Sequence, residues 1–287
     1  PIAREIYAGV KDLPIVSMDG HVESELLSRN EPFGDPAELL VRPDHYLVRM
    51  LVSAGVPHGA LGVGPAGEVE SDPRKIWRTF CENWKLYRGT PTRYWMEDVL
   101  ANRFGVSVAP SAETADTIYD EISAALATDA FRPLALLDTF DIEAIATTDA
   151  ASSTLSFHQD LAARGYGQRV LPTFRPDALV HLDRADWREL LAELSERSGI
   201  TIGGYADYIA ALEQRRAYFK ANGARSSDHG HLTAASQPLT TAEASAIFDA
   251  AQLGEITPAQ ADAFSAHMLH EMARMATEDG LTMQVHV

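Results

Sequence analysis

Short apolar runs recur along the chain, each closed by polar or turn-forming residues, a pattern that predicts buried β-strands. Leu13-Pro14-Ile15-Val16-Ser17-Met18 is the first and Ile142-Glu143-Ala144-Ile145-Ala146-Thr147-Thr148 the second. Arg169-Val170-Leu171-Pro172-Thr173-Phe174 is the third, and Leu281 to Val287 the last. Between them the spacing turns helical. Residues 111–127 place Ile118, Ile122, Ala125 and Leu126 on one face. Thr240-Thr241-Ala242-Glu243 and Thr257-Pro258-Ala259-Gln260 both have the form of a capping box, in which the hydroxyl and the third residue's side chain satisfy free N–H groups reciprocally. Proline at the first helical position strengthens the second. Phe264, Met268, Met272 and Met275 then form a stripe that predicts the buried face of that helix.

Strands separated by helices imply a mainly parallel sheet with helices outside it, and the class is α/β. The predicted organisation is a first strand with its lead-in (1–21), a helical insertion (22–135) and the remaining strands and helices (136–287). The insertion is too long for a simple crossover and needs a core of its own. Four or five strands make about half of a (β/α)8 barrel. The last run reads as a strand with no turn or polar tail after it, whereas termini usually fray at the surface. The expectation is therefore a natural chain that continues beyond Val287, and a barrel and active site incomplete in the chain that stops there.

With 24 Lys and Arg against 41 Asp and Glu, the net charge is −17. Such a surface repels nucleic-acid backbones and anionic lipid, so neither is an expected partner. There is no uninterrupted apolar stretch of membrane-spanning length. The single cysteine, Cys81, cannot form an intrachain disulfide. A cytoplasmic protein is expected.

In parallel α/β proteins catalytic groups gather where strands end. Those positions hold Asp19 and His21, Asp149, Arg175 and Asp177, and His286. Asp19 and His21, two apart on an extended segment, project to one side. With His286 they could hold a divalent metal; Asp19 as a turn cap and His21 bonded to backbone is the competing reading. Arg175 could clamp a carboxylate through paired N–H groups, or close the turn by an ion pair to Asp177. Asp44-His45-Tyr46 with Arg49 groups an acid, a base, a phenol and a cation, but taken in isolation reads better as an N-cap followed by an ordinary amphipathic helix. Asp228-His229-Gly230-His231 has ligand-like spacing but the composition of a loop. His267 and His270 match neither established zinc-protease order and read as the mixed face of a core helix. Cys81, in a Trp/Phe-rich stretch, reads as packing.

Taken together the motifs resemble the uronate isomerases of the amidohydrolase superfamily. They run in family order: Lys11-Asp12-Leu13-Pro14-Ile15-Val16-Ser17, Pro43-Asp44-His45-Tyr46-Leu47-Val48-Arg49-Met50-Leu51 and Gly55-Val56. Arg88-Gly89-Thr90-Pro91, Ala124 to Phe131 and Ala146-Thr147-Thr148-Asp149 follow. Phe174-Arg175-Pro176-Asp177, Ser226 to His231 and Met283-Gln284-Val285-His286 complete the set. The resemblance implies a (β/α)8 barrel with a helical insertion after the first strand. It also implies interconversion of D-glucuronate and D-fructuronate, or of D-galacturonate and D-tagaturonate, through a cis-enediol. His45, Tyr46 and Arg175 would contact the sugar acid, with Arg49 beside them; His21 would ligate a metal, and His286 would lie at or near it. The family has His-x-His where this chain has Asp19-Gly20-His21. A carboxylate there shifts preference from zinc, the metal the family implies, toward manganese or magnesium. Family members also continue past the last strand, with a late Asp and an Arg/Trp region that this chain lacks. Two other readings stay open: a metal-dependent hydrolase on the same scaffold, and a sugar-acid-binding fragment without turnover. An exposed strand edge also predicts a homo-oligomer.

Overall fold

A computed structural model describes residues 1–65, 69–230, 233 and 235–286. It divides into two compact units, residues 1–29 with 140–287 and residues 30–139, each with its own core.

The first unit carries all seven strands seen among the described residues: β1 (Ile15–Ser17), β2 (Ile142–Ala146), β3 (Asp149–Ala150), β4 (Val170–Leu171), β5 (Thr173–Arg175), β6 (Ser226–Gly230) and β7 (Thr282–His286). They form parallel ladders in the orders β1-β2-β4 and β3-β5-β6-β7. The two ladders meet along shared segments. β4 and β5 are separated only by Pro172, which has no N–H to give to a ladder, and β2 and β3 only by Thr147 and Thr148. Across those gaps the Thr147 N–H still donates to the Leu171 carbonyl at 2.9 Å. The result is five successive parallel segments, each beside the one before it in the chain.

Helices pack on this sheet through Phe174, Trp187, Tyr208, Phe219, Phe248 and Phe264, all fully buried. Both predicted capping boxes are present, Thr240 with Glu243 and Thr257 with Gln260, and they start helices Thr241–Leu253 and Pro258–Asp279. Phe264, Met268, Met272 and Met275 lie at 2% exposure or less, the predicted stripe.

Three expectations need correction. The first strand is not buried: Ile15 and Val16 are 48% and 57% exposed, because β1 has only β2 beside it among the described residues. Residues 226–230 are not a loop but β6, between β5 and β7 and almost wholly buried. The helix expected from residue 111 begins at Ala115, with residues 111–114 bonded locally by the Ser111 and Thr114 hydroxyls.

The second unit is helical. Its core gathers Leu47, Leu51, Ile76, Trp77, Phe80, Tyr87, Met96, Ile118 and Ile122. Cys81 is 1% exposed within it, and burial pushes its thiol up to about 12, so its role is packing. No helix among the described residues is long and apolar enough to cross a membrane.

Candidate active site

Parallel pairing puts residues in register on the same face of the sheet. Asp228 pairs with Gln284 and Gly230 with His286, while Thr173, two residues before Arg175, pairs with Ser226. Arg175, Asp228, Gln284 and His286 therefore share one face near the strand ends. Gly20 explains how the β1 end joins them. Its N–H donates to the Ala146 carbonyl at 2.9 Å, and a Cβ there would collide with that same oxygen. Only glycine lets the chain lie this close to β2 while Asp19 and His21 face the other way.

Asp19, His21 and His286 come together: each offers a ligand atom, and all lie within 4.8 Å of one another. The His21 Nε2 stands 3.7 Å from Asp19 Oδ1, and the His21 and His286 rings stack at 5.5 Å with 4° between planes. The Gln284 amide donates to the Met18 carbonyl at 2.8 Å, tying β7 to the end of β1. Beside the cluster, Arg175 Nε donates to Asp177 Oδ2 at 2.6 Å, and Arg175 Nη1 lies 3.2 Å from Asp228 Oδ2. Burial works against the guanidinium charge, but the bond to Asp177 and the charges of Asp177, Asp228 and Asp19 outweigh it and hold Arg175 above its ordinary range. The ion pair read from Arg175-Pro176-Asp177 is thus present, and the strand-end clamp position is present with it. Gly230 makes room for both: its N–H donates to the Asp177 carboxylate, and a Cβ on it would stand 2.7 Å from Arg175 Nη2.

Asp149 is not brought into this cluster. In register it pairs with Phe174, on the face opposite Arg175, and it accepts from Thr147 Oγ1 at 2.6 Å with His158 at 3.6 Å. Burial raises its carboxyl and lowers His158. His45, Tyr46 and Arg49 belong to the other unit, at the exposed start of helix His45–Ser53. Asp44 caps that helix, accepting from the Tyr46 and Leu47 amides at 2.8 and 3.1 Å. The His45 and Tyr46 rings are 4.1 Å apart, and the Arg49 guanidinium lies 4.9 Å over Tyr46. His267 is buried, bonded to Tyr205 at 2.7 Å and to the Leu239 amide at 3.1 Å. His231 lies outside the described residues.

Asp228, which the sequence reads as part of a loop, also lies at this cluster. It is 1% exposed between Arg175 and His286, and neither carboxylate oxygen has a hydrogen-bond partner among the described residues. Its sequence signal is an Asp directly after Ser226 and Ser227, where apolar alternation fails because the strand is built of polar residues.

A parallel α/β unit with ligand-type side chains and a guanidinium gathered at its strand ends defines a class: a parallel-sheet protein whose polar groups converge at the strand C-termini. Comparison with known proteins names the family within it. The sequence model of the glucuronate isomerase family matches residues 1–287, and the chain belongs to that family. It is 46% identical to the uronate isomerase of Rhizobium meliloti (strain 1021) over 99% of this chain and 61% of that protein. Identity to the uronate isomerase of Sphingopyxis alaskensis is also 46%, with the same coverage of each chain. The crystal structure of glucuronate isomerase from Caulobacter crescentus superimposes with a TM-score of 0.94 at 44% identity, covering 99% of this chain and 60% of that one. Uronate isomerase from Thermotoga maritima superimposes at 0.90 with 27% identity, covering 99% and 61%. The chain therefore spans about 61% of the length of the curated relatives it matches.

Proposed function

We propose that this chain serves the reversible isomerisation of a uronate, D-glucuronate to D-fructuronate or D-galacturonate to D-tagaturonate. The observation that carries the proposal is the placement of Arg175 beside the Asp19–His21–His286 group, in a chain of the glucuronate isomerase family. Arg175 binds the substrate carboxylate, the fork geometry of its guanidinium suiting that group. A base takes the proton from the carbon beside the carbonyl, a cis-enediol forms, and the base, whose proton exchanges with solvent, delivers a proton to the neighbouring carbon or back to the first. The family resemblance also assigns His45, Tyr46 and Arg49 to the sugar acid.

The charge balance fits a divalent cation. Asp19, Asp177 and Asp228 place three carboxylates around the single guanidinium of Arg175, an anionic excess that opposes an anionic substrate. Asp19, His21 and His286 would hold a divalent metal, zinc by family resemblance or manganese or magnesium with Asp19 as ligand, and the metal would polarise the substrate's carbonyl and offset that excess.

The sheet order supports a (β/α)8 barrel with residues 22–135 as its insertion. Successive parallel neighbours joined by right-handed crossovers put every helix on one face, and the Gln284–Met18 bond draws the first and last strands together. The setting proposed is the cytoplasm, with the exposed apolar edge of β1 covered in a homo-oligomer.

The test is titration of the chain with D-glucuronate in the presence of zinc or manganese, followed by proton NMR in deuterated water. Binding, with deuterium entering at C2, is the expected outcome, and Arg175→Ala abolishes both. Neither binding nor exchange at saturating metal would overturn the proposal.

A further inference from the structure

We propose that Asp228 is a positioning residue that holds His286 as its Nδ1–H tautomer, leaving Nε2 as the lone-pair nitrogen. The inference rests on the proposed function only in taking His286 as a member of the cluster. Asp228 is 1% exposed, and its Oδ1 stands 3.6 Å from His286 Nδ1. That distance is longer than a hydrogen bond. Both atoms are nonetheless buried, and each lacks a hydrogen-bond partner among the described residues. A neutral imidazole has one N–H and one lone pair, and an ionised carboxylate only accepts. A lone pair on Nδ1 would face the carboxylate in repulsion, whereas an N–H there faces it as a donor. Small closure of the 3.6 Å gap completes a charge-assisted bond.

The groups around the ring leave this choice to Asp228. His21 stacks on the face of His286, so it engages the π-surface and not the in-plane nitrogens. Arg175 stands on the other carboxylate oxygen, Oδ2, at 3.2 Å, which leaves Oδ1 for the imidazole. Gln284, in register with Asp228, spends its amide N–H on Met18. Asp19 lies with His21 within the cluster. One buried carboxylate thereby sets both the guanidinium and the imidazole. A histidine whose second nitrogen is fixed by a carboxylate makes a better-oriented and more basic ligand.

The test is a long-range 1H–15N correlation spectrum of the metal-free chain, above the histidine titration range, with the His286 signal assigned by its loss in His286→Gln. Wild-type protein is expected to show protonated Nδ1 and a lone pair on Nε2. Asp228→Ala is expected to move His286 toward the Nε2–H form while His21 stays unchanged, and to weaken zinc binding about 10- to 100-fold. Wild-type His286 in the Nε2–H form overturns the inference whether or not the variant folds. So does an Asp228→Ala protein with its tautomer unchanged. Nδ1–H in wild type that takes up no zinc supports the inference and counts instead against the metal in the proposed function.

Discussion

Gly230→Ala separates the stability of the site from its use. The added Cβ would stand 2.7 Å from Arg175 Nη2 and 2.8 Å from Asp177 Oδ2. Carbon contacts relax near 3.5 Å, so Arg175 Nη2 must retreat by about 0.8 Å and Asp177 Oδ2 by about 0.7 Å. The Asp177 carboxylate, which accepts from the Gly230 N–H at 3.1 and 3.2 Å and from Arg175 Nε at 2.6 Å, swings aside by lengthening those bonds and takes the guanidinium with it. Both partners are the ends of side chains, so both can move, and the longer arginine moves further. Nothing strained is left in the backbone, because Gly230 is not among the glycines with positive φ. The unfolding free energy should therefore change by less than about 1 kcal/mol, well inside the usual range for single substitutions. Under the proposed function, a displaced guanidinium loses a charge-assisted hydrogen bond to the uronate carboxylate, worth about 1.5–3 kcal/mol. At 1.4 kcal/mol per decade that is roughly a 10- to 100-fold weaker Kd. Urea unfolding and calorimetric titration with D-glucuronate read the two quantities on one preparation. Affinity within twofold of wild type would refute the reasoning, and so would a loss of affinity matched by a large loss of stability.

Acid should destabilise the first unit through His267. Burial holds its pKa below the ordinary value, partly countered by Glu271 and helped by His270. Its Nδ1 accepts from the Leu239 amide, which protonation forbids. A depressed folded pKa means full stabilisation above the unfolded value near ~6.5 and a decline as pH falls below it, with a slope of up to about 1.4 kcal/mol per pH unit. Denaturant midpoints across that window check the decline, and His267→Gln should flatten it. Cys81, with its thiol pushed up to about 12 inside the helical core, should resist a thiol-specific disulfide reagent in the native state and react fully in denaturant; rapid native labelling would contradict the burial.

What was legible in the sequence followed local chemistry. The two capping boxes, the Phe264–Met275 stripe and the strand positions around residues 142, 170 and 282 rest on short-range patterns that the fold keeps. Asp19, His21 and His286 were legible as strand-end residues, and the structure does bring them together. β6 was illegible because Ser226, Ser227, Asp228 and His229 carry no apolar alternation; the strand is held by β5 and β7, and its polar residues are bought out of water by neighbours far off in sequence. Pro172 hid the continuity of β4 and β5 in a similar way, since the ladder resumes on its far side. The partnership of Arg175 with both Asp177 and Asp228 was half visible: the first partner is two residues away, the second fifty-three.

The bond from Gln284 to Met18 closes a span of 266 residues. Loop closure on that scale is costly in chain entropy and slow to find, and contacts of such separation lengthen folding. Since His286 meets Asp19 and His21 across the same span, the cluster cannot assemble while either terminal strand is undocked. Local opening at β1, the least buried of the strands, would dismantle it while the helix-backed interior stays intact. Competence of the cluster is therefore a late event of folding and an early casualty of fraying, a reporter of native topology that secondary-structure content would not register.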